Sequence, residues 1–322
     1  MDLAALLHPL GLGPECTLAM LGLALLLDLT VGEPPVSVHP VVLVGRLIGA
    51  ARRVGPRRGG VAFVYGAALT IVLGLGSSLA VAGLARWAAA VDVSAWWRVA
   101  CGGMLLWTTF SIRLLDREVA GLADALEGPG IEAAREHLPR LCSRDASDLD
   151  EGQIAAAGIS SLTENANDSV VAPVFWYALF GLPGAVLFRV VNTMDAMIGY
   201  RGEYEWLGKF AARSDDVLGY VPARITALAL VAAGAVRGAN VSVRFGALLR
   251  DARSTPSPNG GWPMASAAWV LGLRLDKPGA YALNGEGRTP SAADIGRARR
   301  LNGLAIALAL LPMTALTAVV TS

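Results

Sequence analysis

Charged residues are scarce in this chain: they make up 16% of its 322 residues, whereas 54% are hydrophobic. An ordinary soluble domain carries about 25% charged residues, so this scarcity indicates a membrane protein with several spans. The formal net charge is only +1, and Lys and Arg form no run interleaved with aromatic side chains. The sequence therefore predicts no nucleic-acid partner.

Cysteine and histidine are also rare, with three of each spread along the chain. No CxxC pair or His cluster occurs, so neither a zinc site nor a disulfide framework is supported. No GxxxxGK[ST] sequence occurs either, which excludes a Walker A loop.

Lys and Arg are absent before Arg46. The apolar stretch "TLAMLGLALLLDLTV" therefore lacks the basic n-region of a cleavable signal peptide, and we interpret it as a retained first span. Five arginines follow between positions 46 and 58. By the positive-inside tendency, we expect this loop in the cytoplasm and the N-terminus outside.

Further apolar runs cover residues 61–85, 99–112, 166–191, 221–236 and 301–320. The first two predict a hairpin that returns to the cytoplasm. The third is interrupted by "GLPG" at 181–184, and a full crossing would leave "NTMDAMIGYRGEYEW" outside. We prefer a hairpin bent at 181–184, because broken helices are tolerated where they line a protein cavity. This interpretation requires that 221–236 does not span.

Two long polar segments separate these runs. Residues 113–150 show helix-like charge spacing on both sides of "GPG", which predicts a helical cytoplasmic insertion. Residues 237–300 carry ten Lys or Arg, against three in 192–220, so they too should face the cytoplasm. The predicted fold is all-α: a polytopic membrane helical bundle forming one domain over 1–322, with broken or re-entrant helices.

The stretch "TENANDSVVAPVFW" places polar residues directly before an apolar run. If 160–172 is helical, Glu164 and Asp168 stand four apart on one face, with Asn165 beside them. Like charges at this spacing repel unless a cation lies between them, which favours a metal or metal-phosphate site. Downstream, Asn192 and Asp195 repeat the theme, and ionisable residues at membrane depth are functional candidates. Helix–helix hydrogen bonding is the alternative for both groups.

The stretch "RDARSTPSPNGGWP" is unusual for a connecting loop. Two arginines followed by hydroxyls and a Gly-Gly turn could cradle phosphate oxygens through guanidinium forks and free backbone N–H groups. An ordinary proline-rich turn is the alternative. "VGEPPVSVHPVVLVGRLI" could supply functional side chains, and it could equally be a solvated loop that ends a helix. We expect the carboxylates of "SRDASDLDEGQ" to cap helices rather than bind calcium.

In order along the chain, "VGEPPVSVHPVVLVGRLI", "LCSRDASDLDEGQIAAAGISSLTENANDSVVAPVFWYALFGLPGAVLFRVVNTMDAMIGYR", "DDVLGYVPARITAL" and "RDARSTPSPNGGWP" resemble the adenosylcobinamide-phosphate synthase family of cobalamin biosynthesis. The resemblance runs from about residue 28 to residue 294. Thr163 and the pair Ala166-Asn167 depart from the family pattern, whereas Glu164, Asn165 and Asp168 keep it.

The resemblance implies an integral membrane enzyme that joins adenosylcobyric acid to aminopropanol phosphate, or a related aminoalcohol phosphate, through an amide bond. It also implies ATP and Mg²⁺ as cofactors, because a carboxylate must be activated, as an acyl phosphate, before an amine attacks it. We expect a multi-pass protein of the cytoplasmic membrane with its catalytic face in the cytoplasm. Partners are these substrates and the lipid bilayer, with self-association or association with other corrinoid enzymes left open.

Roles for individual residues are hypotheses that the resemblance does not settle. The catalytic candidates are Glu164, Asn165, Asp168, Asn192 and Asp195, and the metal candidates are Glu164, Asp168 and Asp195. The candidates for binding substrate or phosphate are His39, Arg46, Arg144, Arg201, Arg224, Arg250, Arg253, Ser257 and Asn259.

A transporter, or a sensor-like membrane protein on a related scaffold, is the alternative function. Broken helices that bind a substrate at the membrane midplane would suit transport. An inverted repeat would favour it, but the Asn- and Asp-rich motifs do not recur with reversed topology. Coupling of ATP turnover to amide formation would decide for the ligase.

Overall fold

A computed structural model describes residues 11–200, 202–239 and 245–322. Its helices in chain order are α1 (Pro14–Thr30), α2 (Pro40–Val54), α3 (Gly59–Ala90), α4 (Ala95–Trp107), α5 (Arg113–Glu127), α6 (Ile131–His137), α7 (Glu151–Ala166), α8 (Ala172–Ile198), α9 (Lys209–Val236), α10 (Phe245–Ala252), α11 (Gly261–Leu271) and α12 (Ala292–Thr321). A 3₁₀ turn (Leu138–Arg140) follows α6, and a π-helical segment (Asn167–Val171) joins α7 to α8. The all-α prediction is confirmed. One short antiparallel hairpin, β1 (Leu275–Lys277) with β2 (Tyr281–Leu283), was not anticipated.

Four helical segments among the described residues are long and apolar enough to cross a membrane: Gly59–Ala90, Glu151–Ile198, Lys209–Val236 and Ala292–Thr321. The membrane character predicted from composition is confirmed. The hairpin interpretation required that 221–236 does not span, yet this segment belongs to a helix that begins twelve residues earlier, at Lys209, and is long and apolar enough to cross a membrane. The charged side chains between 213 and 216 made this first part resemble a loop, yet they lie within the helix.

The break expected at 181–184 lies at its first residue. Phe180 and Gly181 have non-helical backbone angles, and Gly181 adopts a positive φ of 62°. A Cβ at Gly184 would meet the carbonyl of Trp176, although eight residues of straight helix would separate them by about 12 Å. The chain therefore bends sharply here, where glycine permits a backbone conformation that other residues rarely adopt.

The chain divides into two compact units, a division that the sequence did not reveal. Unit 1 comprises the described residues up to Ser111, together with Ala172–Leu218 and Pro312–Ser322. Within it α1 packs against α4, and α8 packs against α2 and α3. One core cluster is formed by Ile48, Met194, Ile198, Leu207 and Ala211, all of them buried.

Unit 2 comprises Ile112–Val171 and Gly219–Leu311. Its core lies where α7 packs against α5, α11 and β1. Leu122, Ile154 and Ile159 are fully buried there, so truncating any one of them to alanine should cost about 2–5 kcal/mol. The predicted insertion at 113–150 is helical as expected, with α5 and α6 on either side of Gly128–Gly130.

Helix α7 positions the "TENANDS" stretch, and its start follows directly from the sequence. Asp150 is the N-cap: its Oδ1 accepts from the Gln153 backbone N–H at 2.8 Å, and Gln153 Oε1 accepts from the Asp150 N–H at 3.0 Å. This is a reciprocal capping box. Asp145 accepts from both the backbone and the hydroxyl of Ser147, which lowers the pKa of this carboxyl. The expectation that these carboxylates cap helices is confirmed for Asp150, whereas Asp145 is exposed in the preceding loop and caps no helix.

Candidate active site

The polar stretch after α7 lies in a π-helical segment, Asn167–Val171. The premise that 160–172 is one regular α-helix is therefore wrong, and the inference that Glu164 and Asp168 share a face loses its geometric basis. Within this segment, Val170 lies with Ala166 and Ile306 in a buried cluster. Such π segments occur frequently at functional sites.

Asn167 is buried and holds the π segment in place. Its Nδ2 donates to Asp168 Oδ1 at 2.7 Å, and its Oδ1 accepts from the Thr226 hydroxyl at 3.3 Å. Asn165, two residues earlier, donates from Nδ2 to the carbonyl of Ser161 at 2.9 Å. The amides thus anchor this stretch, and the two carboxylates of Glu164 and Asp168 are half-buried beside them.

Glu164 lies against the start of α11. A Cβ added at Gly260 would run into the Glu164 carboxylate, so a larger residue at this position would displace that carboxylate. Gly260 is the N-cap of α11, where the helix dipole favours negative charge. The tertiary structure therefore joins two motifs that the sequence analysis treated separately, "TENANDS" and "SPNGGWP".

The turn before α11 is organised by hydroxyl groups. Ser257 Oγ accepts from the backbone N–H groups of Asn259 and Gly260, each at 3.2 Å, and the Thr255 hydroxyl donates to the Ser257 carbonyl at 2.8 Å. The expectation that these backbone N–H groups are free to cradle phosphate is therefore wrong for residues 259 and 260. The hydroxyls satisfy them internally.

Arg224 ties helix α9 to this turn. Its Nη1 donates to Asn259 Oδ1 at 2.7 Å, and its Nη2 donates to the Pro258 carbonyl at 3.1 Å. The guanidinium also lies over the rings of Tyr220 and Trp262, at 3.6 and 4.6 Å from their centroids. Arg224 therefore supports the turn, and a phosphate contact for it stays a prediction.

Two further arginines extend from the same region. Arg250 is in the last turn of α10 and Arg253 follows that helix, and both are exposed. Arg253 is near enough to Arg224 for their charges to interact. Between the two arginines, Asp251 Oδ2 accepts from Trp269 Nε1 at 2.8 Å and from the Asn284 N–H at 2.7 Å, which anchors the C-terminal end of α10.

Tyr281, on β2, belongs to this cluster and was missed by sequence reasoning. It hydrogen-bonds to the Arg144 side chain, and its hydroxyl donates to Met264 Sδ at 3.6 Å. Arg144 Nη1 donates to the Asp276 carbonyl at 3.2 Å, which fixes the guanidinium on the hairpin. Burial, followed by the negative charge of Glu164, raises the pKa of Tyr281 to about 12. The phenol is therefore a neutral donor at physiological pH.

The other candidates among the described residues, Asn192, Asp195, His39 and Arg46, lie in unit 1. Asn192 Nδ2 donates to Asp215 Oδ1 at 3.2 Å, and Asp195 is near enough to Asp216 for their charges to interact. Asp215 and Asp216 are half-buried residues of α9 that the candidate set omitted.

His39 is the N-cap of α2, with Nδ1 accepting from the Val41 N–H at 3.2 Å. Burial lowers the pKa of His39, Glu33 opposes this shift, and Arg189 reinforces it. Arg46 is exposed on the same helix, and Arg201 lies outside the described residues. His39 therefore caps the start of a helix and is buried, whereas the alternative for "VGEPPVSVHPVVLVGRLI" was a solvated loop that ends a helix.

Carboxylate and amide oxygens are ligands that Mg²⁺ accepts, usually one or two carboxylates together with substrate phosphates. Within the part of the chain that the structure describes, no three His, Cys, Asp or Glu side chains converge as a metal site. Glu164 and Asp168 belong to unit 2, whereas Asp195 belongs to unit 1. The metal role of these three residues stays a prediction.

The long apolar helices and the polar clusters beside them define a helical membrane protein with a candidate active site. Residues 21–311 match the family model described as CobD/Cbib protein. The chain belongs to this family and is a cobalamin biosynthesis protein, as the resemblance implied. No solved structure matches the chain.

Curated relatives support the same assignment. The "Probable cobalamin biosynthesis protein CobD" of Methanothermobacter thermautotrophicus is 42% identical over 267 residues, which cover 82% of this chain and 86% of that protein. The "Cobalamin biosynthesis protein CobD" of Dehalococcoides mccartyi is 38% identical, with coverages of 81% and 84%. The protein of the same name from Rhodobacter capsulatus is 34% identical, with coverages of 90% and 94%.

Proposed function

We propose that the chain is an adenosylcobinamide-phosphate synthase: a carbon–nitrogen ligase that joins adenosylcobyric acid to an aminoalcohol phosphate at the expense of ATP. The carrying observation is the approach of Glu164 to Gly260 in unit 2, because it joins two of the motifs on which the family resemblance rests. The same unit also holds two exposed arginines, Arg250 and Arg253, the neutral phenol of Tyr281, which interacts with the charge of Glu164, and a second carboxylate, Asp168. This set suits a phosphorylated substrate and a nucleotide.

The reaction needs two displacements. First, the propionate oxygen of adenosylcobyric acid takes the γ-phosphoryl group and ADP leaves; second, the amine attacks the carbonyl carbon and phosphate leaves. The amine nitrogen must also lose a proton, for which Glu164 or Asp168 is the candidate base. Arg250 and Arg253 would bind phosphate oxygens through charge-assisted hydrogen bonds. Mg²⁺, when bound at these carboxylates, would offset charge on the transferring phosphoryl group.

The test is an assay of the purified protein in detergent with adenosylcobyric acid, aminopropanol phosphate, Mg²⁺ and ATP. We expect a product whose mass is the sum of the two substrates less one water, with one nucleotide cleaved per amide formed. Glu164→Gln protein is the negative control. Amide formation without nucleotide cleavage would exclude the ATP-dependent mechanism. Absence of product, with uptake of a corrinoid into proteoliposomes, would favour the transporter alternative.

We also propose that the catalytic face is cytoplasmic, because basic residues concentrate in 113–150 and 237–300. With the three native cysteines replaced by serine, Glu127→Cys and Glu286→Cys should resist a membrane-impermeant maleimide in intact cells. Ser94→Cys, on the turn expected outside, is the matched control that should react. Labelling of Glu127→Cys or Glu286→Cys from outside would overturn the proposed orientation.

A further inference from the structure

An apolar groove of about 310 Å³ lies in unit 1 along helices α3 and α4. Leu84, Trp87 and Ala88 line it from α3, and Cys101 and Leu105 line it from α4. Arg98 is the cationic residue in this lining. The volume is at the lower end of the range for small-molecule sites, roughly 300–1,000 Å³.

Two tryptophans mark the depth of this groove in a bilayer. Trp87 is 61% exposed near the end of α3, and Trp97 is 66% exposed near the start of α4. Tryptophan concentrates at membrane–water interfaces, where its ring meets the headgroups. Because α3 has 32 residues and a span needs about 20, its final turns can reach this level while Leu84 remains at hydrocarbon depth.

The position of Arg98 then selects the ligand. It directly follows Trp97, so its guanidinium belongs to the level of the lipid phosphates, and guanidinium groups bind phosphate through paired hydrogen bonds. Most side chains that line the groove are apolar and cannot hydrogen-bond to a peptide backbone, whereas an acyl chain requires no hydrogen-bonding partner. Chain and phosphate are combined in a glycerophospholipid.

We propose that this groove is a binding site for one glycerophospholipid, with an acyl chain along Leu84 and Leu105 and the phosphate at Arg98. The site belongs to unit 1 and is independent of the proposed ligase chemistry in unit 2. A lipid held here would fill the space between α3 and α4 and stabilise their packing.

Native mass spectrometry of the detergent-purified protein tests this site, with phosphatidylethanolamine and a diacylglycerol of the same chains as probes. The unaltered protein should retain one phosphatidylethanolamine and much less diacylglycerol. Cys101→Trp should fill the groove and abolish retention, whereas Met104→Trp, on the same helix but outside the groove, should not. Arg98→Gln should weaken phospholipid retention about tenfold, and Arg86→Gln should leave it unchanged.

A second measurement needs no variant. Cys101 lines the groove and is exposed, so added phosphatidylethanolamine should slow its modification by maleimide, with Cys16 and Cys142 as internal references. Equal retention by Cys101→Trp and Met104→Trp, or unchanged modification of Cys101, would overturn the proposal. Equal retention of phospholipid and diacylglycerol would overturn the assignment of phosphate to Arg98.

Discussion

The guanidinium of Arg224 donates a 2.7 Å hydrogen bond to the side-chain oxygen of Asn259, which lies 35 residues further along the chain. It also lies over the rings of Tyr220 and Trp262, and so holds the turn that precedes α11. This turn brings Gly260 against the side chain of Glu164. The geometry of the candidate site therefore depends on Arg224, which the sequence analysis selected as a candidate for binding substrate or phosphate.

Arg224→Lys should destabilise the protein by about 1–3 kcal/mol, because an ammonium group cannot stack over two rings and bond two acceptors at once. Thermal unfolding in detergent measures this loss. Arg213→Lys on the same helix is the control, since its ion pair with Asp216 is at the surface and should contribute little. Equal stability of the two variants would show that the stacked guanidinium is not structurally important.

Glu164→Gln and Asp168→Asn preserve the shape and hydrogen-bonding capacity of each side chain. If the carboxylates hold Mg²⁺ for the nucleotide, both variants should stay folded yet need more Mg²⁺, or show no turnover at any concentration. Turnover across a Mg²⁺ titration, paired with thermal unfolding, separates these effects. Glu151→Gln, in the first turn of the same helix, should behave as the unaltered protein. If both variants show normal turnover at ordinary Mg²⁺ concentrations, the "TENANDS" stretch serves helix packing and is not part of a metal site.

Arg253→Lys should be nearly as damaging to turnover as Arg253→Ala, because a point charge cannot replace a bidentate guanidinium on a phosphate. Each variant should lose about tenfold or more in kcat/KM for ATP or the aminoalcohol phosphate. Arg274→Lys, a partly exposed arginine of the same unit, is the control. If Arg253→Lys keeps most of the activity, Arg253 contributes only its positive charge and not a bidentate contact with phosphate.

Tyr281→Phe removes the hydroxyl that bonds Arg144 and lies in the field of Glu164. We expect kcat to fall while stability changes by at most about 3 kcal/mol, because a single hydrogen bond to a charged group contributes about 1.5–3 kcal/mol to folding. Steady-state kinetics and thermal unfolding of the same sample provide the comparison. Loss of stability and activity in parallel would assign Tyr281 a structural role alone.

His39 should make stability depend on pH. Its pKa is lower in the folded protein than the ordinary value of 6.5, so its contribution is fully present above about pH 6.5 and is lost as the pH falls through the folded pKa. His39→Asn keeps an N-capping acceptor but cannot titrate. Unfolding temperatures between pH 5 and pH 8 should therefore fall less at the acid end for this variant. Parallel pH profiles would contradict the assignment.

Local patterns in the sequence predicted much of the secondary structure. The spacing of charges located α5 and α6, the carboxylates of "SRDASDLDEGQ" were expected to cap helices, as Asp150 does for α7, and "GLPG" marked the bend in α8. These features could be inferred because the interacting groups lie within one or two helical turns of each other. The start of α9 was missed, since the helix retains polar side chains that the hydropathy pattern assigned to a loop.

By itself, the sequence determined that this is a helical membrane protein, which motifs carry polar chemistry, and which family it resembles. Composition and short-range periodicity determine these properties, because the bilayer selects apolar segments and the helix repeat selects their faces. Only the tertiary structure decided that a π-helical segment begins at position 167 and that Tyr281 lies near Glu164 and bonds Arg144. It also decided that the Ser257 hydroxyl accepts from the backbone N–H groups that were expected to bind phosphate. Packing between distant segments sets these contacts, and no local pattern encodes which side chains will meet.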